Sequence, residues 1–309
     1  MEGAKGEAIS FGTFVENSSR ATDPSYSTTG KGTALTQFNV YGTVNDVYIF
    51  NGNSVTKGNA GYGTAWTQEG TQQYWIPGAD YRFVGIVDGS KTNVTKNTTN
   101  QTTGMPETIS YKADGSTDLL CATVVRDNNN DYSVVPFTFT HLLSKINFTV
   151  TNNSTAAQGY SFVVKNINFA GNVMGTYDVV NAAWKTDGFT TGNTIVGNQR
   201  TIDGTSGKDI VVATGTASTE LGTEVLFLPG TYAITFTVDI LYNGTVITTT
   251  NYPATGTAYS YTLAQNTAYN FNIAVSVGNP IQFTATTMSE WANGNTAPAT
   301  GDKTYVPVN

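Results

Sequence analysis

Hydrophobic and polar residues alternate with a period of two along most of the chain, in short segments bounded by Gly, Asn and Pro. Such alternation predicts half-buried β-strands. Strands are predicted around Phe38 and Val40, at 47–50 and at 81–87. No segment shows a convincing period of 3.6 residues, although HLLSK at 141–145 is compatible with one irregular turn. The pattern therefore predicts an all-β chain.

A β-hairpin is predicted at ITFTVDILYNGTVITT, because Asn243-Gly244 suits the two positive φ angles of a type I′ turn. A further strand is predicted in AYNFNIAVSV. Alternation gives each of these two segments one apolar face, formed by Ile234, Phe236, Val238 and Ile240 in the first and by Tyr269, Phe271, Ile273, Val275 and Val277 in the second.

The chain has 309 residues, more than the usual range of roughly 100 to 200 for one domain. Two domains are expected, with one large all-β domain as the alternative. Long polar loops are predicted at 88–108 and 185–209, and the polar stretch 151–160 suggests a boundary near the middle. The predicted organisation is an N-terminal domain at 1–152, a C-terminal domain at 153–279 and an appended segment at 280–309.

Composition narrows the function classes. Charged residues make up only 12% of the chain and the net charge is −7, with no cluster of Lys and Arg. A nucleic-acid partner is therefore not expected, and an anionic membrane surface is disfavoured. Cys121 is the single cysteine, which excludes an intramolecular disulfide, and its setting in DLLCATVV predicts a small buried hydrophobe.

Candidate chemistry is sparse. His141 is the single histidine and lies among apolar residues, so a structural role is favoured over a catalytic one. GKGTAL at 30–35 lacks the spacing of a phosphate-binding loop. RDNNNDYS at 126–133 offers oxygens that could hold Ca²⁺ at 127–131, but a hairpin tip is preferred. Nothing indicates a pair of catalytic carboxylates, and neither an enzyme nor a cofactor is predicted.

Tryptophan raises a second possibility. Trp66, Trp75, Trp184 and Trp291 could form a platform for stacking sugars, although tryptophan in a β-sandwich more often lies in the core. A carbohydrate-binding cell-surface sandwich is therefore the alternative function, and it requires two or more tryptophans on one accessible face.

No apolar run reaches the roughly 18 to 20 residues that span a bilayer, and MEGAKGEA lacks the apolar core of a signal peptide. Either the protein is cytosolic or its export signal has been removed and Met1 is an added initiator. The second interpretation is preferred on the resemblance described next.

Three segments occur in this order along the chain: ISFGTFVENSSRAT, DLLCATVV with FTFTHLLSKINFTVTN, and AYNFNIAVSVGNPIQFTATTMSEW. Together they resemble the fimbrillin family of pilus subunits from the Bacteroidetes. ISFGTFVENSSRAT is similar to the mature start of that family, where an apolar strand precedes an Arg-Ala site. DLLCATVV with FTFTHLLSKINFTVTN is similar to its D-L-L-x-A strand and the H-x-L-S-K-I-x-F-x-V sequence that follows. AYNFNIAVSVGNPIQFTATTMSEW resembles its last domain strand and an appended strand ending in Trp.

The resemblance implies two tandem transthyretin-like Greek-key β-sandwich domains, in a protein exported as a lipoprotein and assembled into an outer-membrane-attached surface pilus used in adhesion. It implies that a trypsin-like protease cuts between Arg20 and Ala21, and that the freed groove accepts a strand from a neighbouring subunit. The implied partners are copies of the subunit, the protease, and host glycans or proteins. No lipobox Cys precedes GAKGEA, which is a departure from the family pattern.

The physical pattern is compatible with this implication. Ile9, Phe11 and Val15 are expected on one buried face of the first strand, followed by an exposed loop at 17–24. Loss of this strand would leave unpaired backbone in an open groove, a state that favours capture of another strand.

The donor should be a peripheral alternating segment, and 280–291 fits, with Ile281, Phe283 and Ala285 on one face. The tail could extend it through Tyr305, Val306 and Val308. The alternative is that 281–287 completes the sheet of the second domain, which would point to a tip or accessory subunit.

Overall fold

The computed structural model describes most of the chain, in fourteen ranges: residues 6–15, 25–26, 33–57, 66–88, 94–97, 106–115, 117–152, 160–195, 209–212, 219–220, 225–253, 258–276, 282–288 and 304–306.

Every helix or strand in these ranges is a β-strand, which confirms the all-β prediction. The strands are β1 (Phe11–Val15), β2 (Ser25–Tyr26), β3 (Thr33–Ala34), β4 (Gln37–Val44), β5 (Val47–Lys57), β6 (Trp66–Gln68), β7 (Ala79–Val87), β8 (Val94–Asn97), β9 (Thr108–Lys112), β10 (Leu120–Asn129), β11 (Val135–His141), β12 (Ser144–Asn152), β13 (Tyr160–Asp178), β14 (Ala183–Trp184), β15 (Thr190–Ile195), β16 (Asp209–Val212), β17 (Thr219–Glu220), β18 (Val225–Phe227), β19 (Gly230–Tyr242), β20 (Thr245–Tyr252), β21 (Tyr259–Leu263), β22 (Thr267–Val275), β23 (Gln282–Met288) and β24 (Thr304–Val306).

The chain divides into two compact units. Unit 1 comprises Met1–Leu142 and Gly175–Gly188. Its main sheet has the order β1-β11-β10-β7-β4-β5-β6, so β1 lies at one edge and β7 in the middle. The core of unit 1 is aromatic, and space for its rings comes partly from Gly85 of β7, where an added Cβ would lie 2.8 Å from the ring of Phe139.

Unit 2 comprises Leu143–Met174 and Phe189–Asn309. One of its sheets has the order β17-β12-β22-β23-β24, with β18 also paired to β12. The other is built on β13 and β19, which carry β15, β16, β20 and β21. The core is again rich in aromatic side chains, among them Phe148, Phe169, Tyr232 and Phe271.

The division between the units differs from the predicted boundary after residue 152. It falls between Leu142 and Leu143, because β12 pairs in parallel with β22 from Ser144 opposite Thr267 to Asn152 opposite Val275. The 280–309 segment is likewise not separate, since β23 pairs with β22 inside unit 2.

Local signals were accurate at the Asn243-Gly244 turn, where φ is 47° and 79° and the hairpin closes with Tyr242 opposite Thr245. The predicted loops were partly wrong, because β8 lies within 88–108 and β15 within 185–209. HLLSK contains a bend at Leu143 between β11 and β12. Within the described ranges, no helix has the length and hydrophobicity needed to cross a membrane.

Candidate functional site

The first strand lies at the edge of the unit 1 sheet. β1 pairs in parallel with β11, from Phe11 opposite Val135 to Val15 opposite Phe139. The backbone N–H of Val135 donates to the carbonyl of Ser10 at 2.8 Å. β11 is the only described strand that is hydrogen-bonded to β1 in this sheet. Loss of β1 would therefore turn β11 into the new edge strand.

A second attachment precedes β1 in the chain and was not foreseen from the sequence. The Trp75 N–H donates to the carbonyl of Glu7 and the Ile9 N–H to the carbonyl of Gln73, both at 2.9 Å. The side-chain amide of Gln72 donates to the carbonyl of Ile9 at 3.1 Å. Residues 7–9 are therefore held by the segment before β7 while β1 is held by β11.

The inner face of the first strand enters the core of unit 1. Ile9 and Phe11 are buried, with 2% and 5% of their surface exposed, as the alternation predicted. The Phe11 ring contacts a set of four other rings, with centroid distances of 5.4 to 6.3 Å: Phe38, Phe50, Phe83 and Phe137. These four rings surround the Phe11 side chain, and the space that they enclose is called the slot below. Val15 is placed in the ladder, but its side chain lies outside the described set.

Thr13 occupies the next position on the same face, opposite Phe137. Its hydroxyl oxygen is buried and has no hydrogen-bond partner. A buried hydroxyl without a partner lowers the stability of the fold by about 1 to 3 kcal/mol. Thr13 therefore stabilises the packing of β1 less than Phe11 does.

Arg126 supports the upstream attachment from the other side. Its guanidinium lies 5.0 Å from the centre of the Trp75 ring. It donates to the carbonyl oxygens of Asp131 at 2.8 Å and Val134 at 2.9 Å. Arg126 thus links the side chain of Trp75, whose backbone N–H is bonded to Glu7, to the connection between β10 and β11.

The predicted cleavage residues, Arg20 and Ala21, lie outside the described residues. The chain is described again at β2, which pairs with β3. The cleavage site therefore stays a prediction.

The predicted donor residues lie in unit 2. β23 pairs with β22 on one side and with β24 on the other. Phe283 and Ala285 are 2% and 3% exposed, and the Phe283 ring is 5.3 Å from Tyr259 and 5.4 Å from Phe271. Ile281 lies outside the described residues.

This is the arrangement expected if residues 281–287 complete the sheet of their own unit. A donor role for Phe283 and Ala285 stays a prediction, and it requires β23 to leave two neighbouring strands. β24 is more peripheral, since it pairs with β23 over only Thr304 to Val306. Tyr305 and Val306 are therefore placed at the sheet edge, whereas Val308 lies outside the described residues.

The single histidine is structural. His141 and Asp118 are buried, and Nδ1 of the histidine is 2.7 Å from Oδ2 of the aspartate. The Trp184 indole donates to the carbonyl of Leu142 at 2.8 Å, next to this pair. The pairing joins the D-L-L segment to the histidine of HLLSK, because Leu120 lies opposite His141. The sequence carried both residues but no local signal that they meet.

Cys121 is buried, and burial raises the pKa of its thiol to about 12. The interpretation of this residue as a small hydrophobe is confirmed, because the thiolate that nucleophilic chemistry needs is scarce at neutral pH.

The 126–133 stretch comprises the end of β10 and most of the connection to β11. Asp127 pairs with Arg82 at 2.5 Å. Asp131 accepts the Ser133 N–H at 2.9 Å, and the hydrogen bonds from Ser133 lower the pKa of its carboxyl group. In the part of the chain that the structure describes, no group of three or more His, Cys, Asp or Glu could hold a metal ion.

The described tryptophans do not form a sugar-binding platform. Trp75 is buried and Trp66 packs against the core of unit 1, 5.2 Å from Phe38. Trp184 is partly buried and stands edge-on to Tyr177 at 5.5 Å. Trp291 lies outside the described residues.

Comparison with known proteins agrees with this architecture. The sequence model of a family described as fimbrillin-like matches residues 19–291. No curated protein matches the chain.

Solved structures from three Bacteroides species are similar to this chain. A fimbrial protein from Bacteroides vulgatus superposes with a TM-score of 0.62 and 14% identity, covering 92% of this chain and 99% of its own. A candidate cell adhesion protein from Bacteroides uniformis gives 0.50 and 19%, covering 93% and 100%. Another from Bacteroides ovatus gives 0.51 and 14%, covering 91% and 96%.

Proposed function

The chain belongs to the fimbrillin-like family, and from this membership we propose that it is a structural subunit of a bacterial surface pilus that matures by proteolysis after Arg20 and polymerises by strand exchange. Membership makes it a fimbrial, non-enzymatic protein of the cell surface whose partners are other fimbrial subunits. Proteolytic maturation and strand exchange are the proposed additions.

The observation that carries the proposal is the position of β1. It is an edge strand with one neighbour, yet it places Phe11 inside a cluster of four phenylalanine rings. Burial of Ile9 and Phe11 contributes about 3 to 6 kcal/mol, a large part of the about 5 to 15 kcal/mol that stabilises a typical domain. A unit 1 without β1 would expose an apolar slot and the backbone of β11, and both favour capture of another strand.

The incoming strand is proposed to come from residues 280–309 of a neighbouring copy. β23 offers the alternating Phe283 and Ala285 but is integrated in unit 2, whereas β24 is peripheral. In the cell, the subunit would be exported as a lipoprotein, attached to the outer membrane within the fimbrium, and would contribute to adhesion to host glycans or proteins.

A second candidate is a tip or accessory subunit of the same kind of pilus. The burial of Phe283 and Ala285 in their own unit favours it, because a subunit whose C-terminal strand is committed has a slot to receive a strand but none to give.

Limited trypsin digestion of the full chain tests the proposal. We expect one early cut, a new N-terminus at Ala21, release of residues 1–20, and a ladder of multimers on gels run without boiling. Arg20→Gln should abolish the cut and the ladder, while the matched control Arg200→Gln should leave both unchanged.

The outcomes separate the candidates. A cut at Arg20 with strand release but no ladder supports the tip or accessory subunit. First cleavage within 88–108 with residues 1–20 still attached would overturn the maturation proposal, as would a ladder from Arg20→Gln.

A further inference from the structure

The described N-terminal segment, residues 6–15, is held unequally along its length. Its first half has hydrogen bonds at Glu7, Ile9 and Ser10 to two separate parts of unit 1. This part, taken as residues 6–11, also carries Ile9 and Phe11, which are the buried apolar residues among the side chains that the structure describes in this segment. Detaching this part of the segment from unit 1 requires breaking the hydrogen bonds of both attachments and removing the Phe11 ring from its slot.

The second part, residues 12–15, is hydrogen-bonded to β11 and to no other described strand. Its inward position, Thr13, is only partly buried, and its hydroxyl is enclosed without a partner opposite the buried Phe137. A hydroxyl in this setting weakens the half that contains it, because its hydrogen bond with water is lost and not replaced.

The weaker half is also the half nearer to the proposed cut. Cleavage after Arg20 would leave residues 1–20 bound through β1 and the upstream attachment, with the new chain end on the Thr13 side. An incoming strand therefore meets the least costly opening next to the free end.

We infer that strand exchange in this protein is directional: a strand from a second copy of the chain enters the slot at the Thr13 end and displaces the resident strand towards Ile9. This inference rests on the proposed function and adds to it the residue that sets the point of entry. Thr13 is a positioning residue here, since it determines where the resident strand opens first.

Two substitutions separate the ends. Thr13→Val keeps the shape of the side chain and replaces the unpaired hydroxyl by a methyl group, which tightens the entry end. Ile9→Ala weakens the far end. If displacement of the resident strand begins at Thr13, Thr13→Val slows it. Ile9→Ala then leaves the rate of displacement unchanged, because the contacts of Ile9 break only after the rate-limiting opening.

A single round of exchange between two full-length chains measures this. The acceptor is trypsin-cleaved protein, kept dilute against a large excess of the uncleavable Arg20→Gln chain, whose own slot stays filled, so that nearly every incoming strand comes from that donor. The rate of release of residues 1–20 is followed by chromatography. We expect Thr13→Val to slow release about tenfold, the effect of about 1.4 kcal/mol, and Ile9→Ala or the exposed control Ser10→Ala to change the rate less than about twofold.

The unequal halves are also measurable before cleavage. In the intact chain, the amide protons of residues 13–15 should exchange with solvent faster than those of residues 9–11.

Equal release rates for Thr13→Val and wild type would overturn the inference, as would acceleration by Ile9→Ala or slower amide exchange at 13–15 than at 9–11. Failure of the wild-type acceptor to release residues 1–20 with any donor would instead overturn the proposed exchange itself.

Discussion

The strands β1 and β23 bury similar side chains in different positions. Phe11 contacts four rings in unit 1, and Phe283 contacts rings that include Tyr259 and Phe271 in unit 2. Each of these residues is the Phe of an Ile-x-Phe sequence. β1, however, has one neighbouring strand, whereas β23 lies between β22 and β24.

The difference separates burial from removability. Side-chain burial determines how much stability a strand contributes, but the number of neighbouring strands determines how many hydrogen-bond ladders must break before it leaves. β1 combines large burial with a single ladder, which suits a strand that is released by one cut. β23 combines the same burial with two ladders, which suits a permanent member of the sheet.

The largest expected effect comes from removing the C-terminal strands. A chain that ends at residue 281 loses β23, its two ladders and the burial of Phe283. We expect unit 2 to lose more than about 5 kcal/mol, enough to unfold a typical domain. Amide exchange of β22 together with urea unfolding measures this.

The matched control ends at residue 303 and removes only β24, with an expected loss below about 2 kcal/mol. If the chain that ends at 281 kept β22 fully protected, β23 would be dispensable to unit 2. The contrast with β1 would then disappear, and the donor assignment of Phe283 and Ala285 would gain support.

The next effect concerns the slot. Phe11→Ala should lower the free energy of unfolding of unit 1 by about 3 to 5 kcal/mol, because the surrounding rings cannot fill the cavity. Ser10→Ala, on the exposed face of the same segment, should change it by less than about 0.5 kcal/mol. Urea titration of both variants measures the difference, and a small loss for Phe11→Ala would show that the first strand contributes little.

The smallest effect concerns charge between interior strands. In unit 2, Lys165 of β13 and Asp239 of β19 approach to 2.5 Å, and Thr249 donates to the same aspartate at 2.6 Å. By contrast, β1 contains no charged residue and so takes part in no side-chain ion pair of this kind. Burial raises the pKa of Asp239, but the hydrogen bonds from Lys165 and Thr249 and the charge of Lys165 outweigh it, so the pKa lies below its ordinary value.

A folded-state pKa below the unfolded value, about 3.9, means that the stabilisation is present above that pH and is lost as the pH falls through the folded pKa. Asp239→Asn should therefore cost about 1 kcal/mol at pH 7, and the cost should shrink as the pH falls below the unfolded value of about 3.9. Asp127→Asn, at the exposed Arg82 pair, should cost less than about 0.5 kcal/mol. A pH-independent loss in Asp239→Asn would contradict this account.

The sequence predicted which face of a strand is buried better than it predicted which strands pair with one another. Alternation placed Ile9 and Phe11 inward and located the β19–β20 hairpin, because both depend on residues close together in the chain. The Ile-x-Phe pattern, however, also occurs at Ile146, Ile167 and Ile234, in β12, β13 and β19. It reports that one face is buried and carries no information on whether the strand lies at an edge.

The remaining differences have the same physical origin. The sequence predicts loops where β8 and β15 lie because Thr, Asn and Gly are typical of turns as well as of exposed strands. The polar stretch 151–160 indicates a boundary after β12, whereas the parallel partner that places β12 in unit 2, β22, lies more than a hundred residues later. The orphan hydroxyl of Thr13 and the attachment of Glu7 to Trp75 depend on such distant partners, so neither could be predicted from the sequence.

The parallel pairing of β1 with β11 has a mechanical consequence. A strand paired along its whole length and pulled along its own axis loads all of its hydrogen bonds together, whereas a sideways pull opens them one at a time. A replacement strand in the same slot would resist axial tension in the first manner. Its lifetime under force would then depend on the rate of rupture rather than on equilibrium affinity.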